Sequence, residues 1–136
     1  MGLSLWSMSP DPNNPCLFCQ PRGVVRQNAL AYAVRDSFPV SPGHTLVIPF
    51  RHCASFFELT PEEMAACMAL VAEERRAIQE EFAPDGYNVG VNVGRAAGQS
   101  ILHVHIHLMP RYLGDHPHPQ GGVRHVLPDQ AHYQRS

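Results

Sequence analysis

His103-Val104-His105-Ile106-His107-Leu108-Met109 alternates imidazole and aliphatic side chains without a break. A β-strand sends successive side chains to opposite faces, so the alternation reads as a strand over residues 101–109 with one packing face and one chemical face. Leu102, Val104, Ile106 and Leu108 then enter the core, and His103, His105 and His107 form a row on the other side. A lone strand histidine is an ordinary surface or hydrogen-bonded residue; three in register call for another explanation. Imidazole, with an unperturbed pKa of about 6.5, serves as metal ligand, nucleophile, acid or base near neutral pH. Same-face strand positions lie about 6.6 Å apart, so the outer two Cα atoms are about 13 Å apart. One metal ion with ligands at about 2 Å does not readily collect all three rings, and at least one is left for other chemistry. A histidine that attacks phosphorus forms a P–N bond that water can later break.

Working outward, Gly94-Arg-Ala-Ala-Gly98-Gln-Ser100 reads as a turn whose glycines let backbone N–H groups approach an anion, and Tyr87 to Val93 reads as a strand before it. Upstream, Thr60-Pro61-Glu62-Glu63 supplies an N-cap, a proline at the first helical position and a glutamate for a capping box. Met64, Cys67, Met68, Val71, Ile78 and Phe82 recur at helical steps, with Glu73, Glu74, Arg76 and Glu80 facing elsewhere. The spacing predicts an amphipathic helix ending near Ala83-Pro84-Asp85-Gly86. Residues 29–35 and His44 to Ile48 read as two further strands around the turn-rich stretch 36–43. Strands, helix, strands in that order give an α+β class with an antiparallel sheet. Residues 1–15 read as a loose N-terminal tail, and residues 116–136, rich in Pro, Gly and His, as an irregular C-terminal one.

With 136 residues, 44% of them hydrophobic, the chain has room for one core. A formal charge of -2 gives no excess of cations to hold duplex nucleic acid, and the complete lack of lysine excludes a P-loop or Schiff-base lysine. No apolar run reaches the roughly 18 residues of a spanning segment and no basic leader is seen, so the expectation is a cytoplasmic protein without membrane contact. Cys16-x-x-Cys19 is, by spacing, either half of a zinc site or a pair of buried thiols. Cys53 and Cys67 have no partner at metal spacing and read as packing residues.

The His103–Met109 stretch resembles the His-φ-His-φ-His-φ-φ signature of the histidine-triad nucleotide-binding proteins. The likeness continues through Ser41-Pro-Gly-His44-Thr-Leu-Val-Ile-Pro49 with Arg51-His52, through Asn88-Val-Gly-Val-Asn92, and through Ala97-Gly-Gln-Ser100, covering roughly residues 16 to 115 as a single domain. That resemblance implies a five-stranded antiparallel sheet with one long helix, the fifth strand falling within Gly23 to Gln27, and a homodimer sharing a larger sheet. It implies that His105 is the nucleophile taking up a nucleoside monophosphate, with His107 and Ser100 at the α phosphate or leaving group. By the same likeness Gln99 lies beside them, Asn92 reaches the ribose-phosphate, Asp36 accepts from sugar hydroxyls, Leu17 and Phe18 line the base pocket, and His44 supports the site. In the family members that carry the cysteine pair, zinc is held by positions matching Cys16, Cys19, His52 and His103, a closed structural site.

The resemblance implies hydrolysis or transfer at a nucleoside 5′-phosphate carrying a variable leaving group, such as a dinucleoside polyphosphate or a phosphoramidate, with a purine nucleotide favoured. The rival is a zinc-containing nucleotide-binding or scaffold protein whose turnover is incidental. His116, His118, His125 and His132 read as solvated loop histidines rather than a second metal site. Arg111 and Arg124 read as surface charge or, secondarily, as contacts to a distal phosphate.

Overall fold

The computed structural model of the chain describes residues 16–133; the tail expected over residues 1–15 and the last three residues lie outside them. Strand β1 (Val24–Gln27) turns into β2 (Ala31–Arg35) at Asn28, whose Oδ1 accepts from the backbone N–H groups of Leu30 and Ala31. Asparagine suits such a turn because its short amide can stand in for a backbone carbonyl. Its Nδ2 also donates to the Ala66 carbonyl at 2.9 Å, tying the turn to the helix. Strand β3 (Thr45–Pro49) returns antiparallel to β2. After the helix come β4 (Gly86–Val91) and β5 (Ile106–Arg111), and the sheet order is β1-β2-β3-β5-β4 with every pair antiparallel. The α+β class, the fifth strand and the single long helix are thus as expected.

The sheet has two unlike faces. Ala31 and Ala33 of β2, Val47 of β3 and Ile106 of β5 pack with Cys67 and Leu70 of the helix into one core cluster. Tyr32, Leu46 and Ile48 project to the other side, where Phe18 and Val34 join them. Period-2 alternation in each strand produces this division. Because β3 is buried on both faces, Thr45-Leu-Val-Ile-Pro49 is a continuous apolar run apart from its first residue, whose hydroxyl donates to the Gly43 carbonyl.

Helix α1 (Pro61–Phe82) starts as its sequence dictates: Thr60 accepts from the Glu63 N–H, and Glu63 accepts from the Thr60 N–H in return. It ends at Ala83, which adopts a left-handed conformation (φ 50°) before Pro84. The buried face, however, is Glu63, Cys67, Leu70, Glu74 and Ile78. Two expectations are corrected here. Met68 is 39% exposed, and Glu74 faces inward at 1% exposure. Glu74 is buried because Arg26 of β1 and Arg35 of β2 reach it at 2.9 and 2.7 Å, so an acid that reads as a solvent position neutralises two strand cations beneath the helix.

The strand carrying the histidines is shorter than expected. Pairing begins at Val47↔Ile106 and Val91↔Ile106, so residues 101–105 approach the sheet as irregular chain, held by the Val104 N–H donating to the Cys53 carbonyl at 2.8 Å. Val104, Ile106 and Leu108 are buried as expected, but Leu102 is 53% exposed, since the alternation has no ladder to enforce it that far upstream. No helix among the described residues is long and apolar enough to cross a membrane.

Glu63 also receives Arg51, which donates through Nε at 2.9 Å and Nη2 at 2.8 Å. The Arg51 guanidinium and the Thr60 N–H together hold its carboxyl at about 2, against an ordinary 4.5. A depressed carboxylate pKa contributes stability that is present above the unfolded value and lost as pH falls toward the folded one. In denaturant titrations between pH 7 and pH 2, Glu63→Gln is therefore expected to be less stable than the parent at neutral pH. The gap should close between pH 4.5 and about 2; a gap independent of pH would remove the ion pair from the account.

Candidate functional site

On the sheet face away from α1 lies a cavity of about 460 Å³, lined at one end by Leu17, Phe18 and Tyr32 and at the other by Asp36, His44, Asn92, Ser100, His105 and His107. The volume is in the range of pockets that enclose a small organic ligand. Its apolar end suits a flat ring and its polar end a charged or hydroxylated group. Phe18 stands edge-on to His105 with centroids 5.1 Å apart, and its carbonyl accepts from the Tyr32 hydroxyl, which fixes the short helical turn Leu17–Cys19 over the sheet.

Hydrogen bonding assigns a tautomer to each imidazole. The His103 carbonyl can only accept, so His105 donates to it through Nδ1–H at 2.9 Å and keeps a lone pair on Nε2. His44 accepts the Val40 N–H on Nδ1 at 3.1 Å and so carries hydrogen on Nε2, which faces His107 Nδ1 at 3.0 Å and Asp36 Oδ2 at 3.4 Å. His107 accepts on Nδ1 and, when neutral, bears hydrogen on Nε2. The adjacent rings of His105 and His107, 5.2 Å apart, thus hold opposite tautomers, one an Nε2 acceptor and the other an Nε2 donor.

Electrostatics keep these rings neutral. Burial pushes His105 below the usual histidine value against the opposing pull of the His103 carbonyl, and burial with the nearby His105 and His44 lowers His107 to about 4. His44 is lowered by burial as well, with Asp36 opposing. A neutral imidazole is the form that can attack an electrophile.

Next to this row, Cys16, Cys19, His52 and His103 bring one ligand atom each to within 4.8 Å of one another. Cys16 Sγ lies 3.3 Å from His103 Nδ1, and Cys19 Sγ lies 3.3 Å from His52 Nδ1 and 3.6 Å from His103 Nδ1. A tetrahedral zinc with bonds of about 2.3 Å to sulfur and 2.0 Å to nitrogen has sulfur–nitrogen edges of about 3.5 Å, so the four atoms are spaced for that ion. His103 donates through Nε2–H to the Pro49 carbonyl at 2.8 Å, which leaves Nδ1 as the ligating atom. Burial, reinforced by Cys19, pushes the Cys16 thiol up to about 11, a penalty on the thiolate that a bound cation offsets.

Of the residues singled out from sequence, Leu17, Phe18, Asp36, His44, Asn92, Ser100, His105 and His107 line the cavity, and the four metal candidates gather beside it. Gln99 is the one that stands apart. Its amide is buried and fully engaged within its own loop, accepting from the Gly94 N–H and donating to the Ala54 and Ile101 carbonyls. The N–H groups of Gly94, Ala97, Gly98 and Gln99 likewise bond within that loop instead of forming the row of available amides its glycines predict, and of this loop Ser100 alone lines the cavity. Arg111 is held by Asp115 and Asn88, Arg124 by the Gln130 and Ala131 carbonyls, and neither lines the cavity. Sequence reasoning missed Val40, Pro49 and the His103 carbonyl as tautomer-setting groups. They act through backbone atoms, which residue type does not reveal.

A family model described as the HIT domain matches residues 19–114 of the chain. The chain is 41% identical over 93 residues to the AP-4-A phosphorylase of Mycobacterium tuberculosis, covering 68% of itself and 48% of that protein, so it spans about half that relative's length. It is 39% identical over 102 residues to the adenosine 5′-monophosphoramidase of Schizosaccharomyces pombe, covering 71% of itself and 74% of the relative. Among solved structures, a zinc-bound histidine triad family protein from Mycobacterium smegmatis superposes with a TM-score of 0.68 at 30% identity, over 85% of this chain and 93% of that one.

Proposed function

The chain belongs to the HIT-domain family, and from that premise we propose that it cleaves the α-phosphate linkage of nucleoside 5′-phosphate derivatives through a nucleotide bound covalently to His105. The observation that carries this reading is the tautomer of His105: the carbonyl of His103 takes the Nδ1 hydrogen and leaves the Nε2 lone pair beside the donor tautomer of His107. The names of a phosphorylase and a phosphoramidase among its relatives point to the same class of bond. Purine nucleotides are the favoured substrates, with Leu17 and Phe18 lining the base pocket, ribose hydroxyls on Asp36, and Asn92 near the ribose-phosphate.

In this reading His105 Nε2 attacks the α phosphorus as the bond to the leaving group breaks, and the leaving group departs with the electron pair. The His107 Nε2–H and the Ser100 hydroxyl donate to the phosphoryl oxygens and the departing atom, where charge develops. The phosphorylated ring of His105 is cationic while Nδ1 keeps its hydrogen, and the His103 carbonyl stabilises that cation. A cationic ring is a good leaving group, so water can attack phosphorus, break the P–N bond and regenerate the neutral imidazole, with one proton released. Gln99 is a positioning residue that shapes the loop presenting Ser100.

His105→Asn is expected to lower turnover of a dinucleoside tetraphosphate or an adenosine phosphoramidate by about 10³-fold or more while AMP still binds, the pattern left by loss of a nucleophile. Mass spectrometry of quenched parent protein should find the nucleotidyl group on the peptide bearing His105. Undiminished turnover in the variant, or an adduct on another residue, defeats the mechanism.

Cys16, Cys19, His52 and His103 would hold a structural zinc ion, which supplies folding energy and fixes the backbone whose carbonyl orients His105. Purified chain is expected to carry one zinc ion at this site, and Cys16→Ala to lower the melting temperature far more than the turnover rate. A metal-free protein that melts at the same temperature with and without chelator argues against the site.

Homodimerisation is part of the same proposal, supported by the outer edge of β4, which pairs with no further strand among the described residues, and by the exposed Val89 there. Sedimentation at micromolar concentration should give twice the chain mass; a monomer across that range rejects it.

A further inference from the structure

The C-terminal segment is more organised than its composition leads one to expect. After β5 it forms two short helical turns, Gly122–Val126 and Pro128–Gln130, closed into a compact unit by Arg124, which donates to the Ala131 and Gln130 carbonyls at 3.1 and 2.6 Å. Ala131 is fully buried in that closure. Gly121 has a positive φ of 96°, and a Cβ at this position would lie 2.2 Å from the Ala131 carbonyl oxygen, so only glycine permits the two ends to meet.

That closure brings the tail histidines together. The rings of His125 and His132 lie 5.2 Å apart at 83°, His118 lies 6.0 Å from His132, and His116 lies 5.3 Å from His125. Two of them are in the tautomer a metal requires. His125 donates through Nε2–H to the Gln120 carbonyl, and His132 donates through Nε2–H to the His118 carbonyl, each at 3.1 Å, leaving both Nδ1 atoms with lone pairs. This is the arrangement of His103 at the cysteine cluster, where Nε2 is tied to a carbonyl and Nδ1 is presented. Ring geometry agrees as well: the His52–His103 pair there lies 5.1 Å apart at 84°. Two imidazoles on one tetrahedral ion, bound at about 2 Å, have centroids about 5 Å apart.

We propose that His118, His125 and His132 form a second site, for a divalent transition-metal ion, distinct from the Cys16–Cys19–His52–His103 cluster. His125 and His132 supply Nδ1. His118, an exposed side chain whose ring lies 6.0 Å from that of His132, turns toward the ion on binding; before it does, the ligand atoms of the three rings do not gather within 4.8 Å of one another. His116 is excluded as a ligand, because its Nδ1 accepts the His118 N–H at 3.0 Å and its remaining nitrogen carries hydrogen. Asp115, the acid beside the cluster in sequence, is held by Arg111 through both oxygens. An all-imidazole set selects zinc, nickel or copper(II) and not magnesium or calcium, and three neutral ligands leave a fourth position for water. The ion joins His118, early in the tail, to His132, reinforcing the closure made by Arg124.

The test is equilibrium dialysis of untagged, chelator-stripped full-length chain against zinc alone, with metal analysis. The parent is expected to take up one zinc ion per chain more than the triple variant His118→Ala, His125→Ala, His132→Ala, whatever the occupancy of the cysteine cluster. With cobalt(II), the ion lost in the variant should contribute weak ligand-field bands and no sulfur charge-transfer band. His132→Asn, which retains a donor for the His118 carbonyl, should weaken uptake of that ion at least 10-fold without loosening the tail. Equal uptake by parent and triple variant overturns the site, as does full-affinity binding by His132→Asn. Since these side chains lie outside the cavity, turnover unaffected in the triple variant is compatible only with a site separate from the His105 chemistry, and loss of turnover together with loss of the ion would overturn that separation.

Discussion

The arrangement depends on His103, which acts through two different parts of itself. Its ring sits between the Pro49 carbonyl and the two cysteine sulfurs, while its own carbonyl holds the Nδ1–H of His105. A change that moved the ring would move the carbonyl, and the lone pair on His105 would lose its fixed direction. The residue is therefore where the Cys16–Cys19–His52–His103 cluster and the row of cavity histidines are mechanically joined. Its complete burial and the bond between Val104 and Cys53 keep that join rigid even though the segment precedes the first paired residue of β5.

The rest of the sheet serves to present this segment. Small residues on the helix side, Ala31 and Ala33, let α1 approach closely, and larger ones on the opposite side, Tyr32, Val34 and Leu46, build the cavity floor. Glu74 ties the layers together by drawing Arg26 and Arg35 from neighbouring strands to a single carboxylate. Arg35 lines the cavity as well but is drawn to Glu74, and the polar end is otherwise made of Asp36, His44, Asn92, Ser100, His105 and His107.

Much of this was legible in the residues. Alternation placed Val104, Ile106 and Leu108 in the core, the Thr60–Glu63 box placed the helix start, and the histidine and cysteine spacings marked the residues that gather around the cavity. The misreadings share a cause. Leu102 departs from the alternation because no ladder extends to it, the charge of Glu74 does not show the two arginines that bury it, and the family likeness at Gln99 does not show the Ala54 and Ile101 carbonyls that take its amide hydrogens. Each depends on a partner distant in the chain. The tail histidines are the extreme case: irregular in spacing, they meet only because Gly121 allows the segment to fold back on Ala131.

The bond from the Val40 N–H to His44 carries a consequence of its own. Val40 belongs to the exposed loop that also holds Phe38 and begins at Asp36, and through His44 its backbone shape dictates where the hydrogen sits on His107. Were the loop to swing outward, His44 could exchange its hydrogen between nitrogens, and the donor order along the relay would scramble. The placement of hydrogens along this row is thus conditional on the posture of a surface loop, and whatever settles the loop also writes the protonation pattern of the rings beneath it.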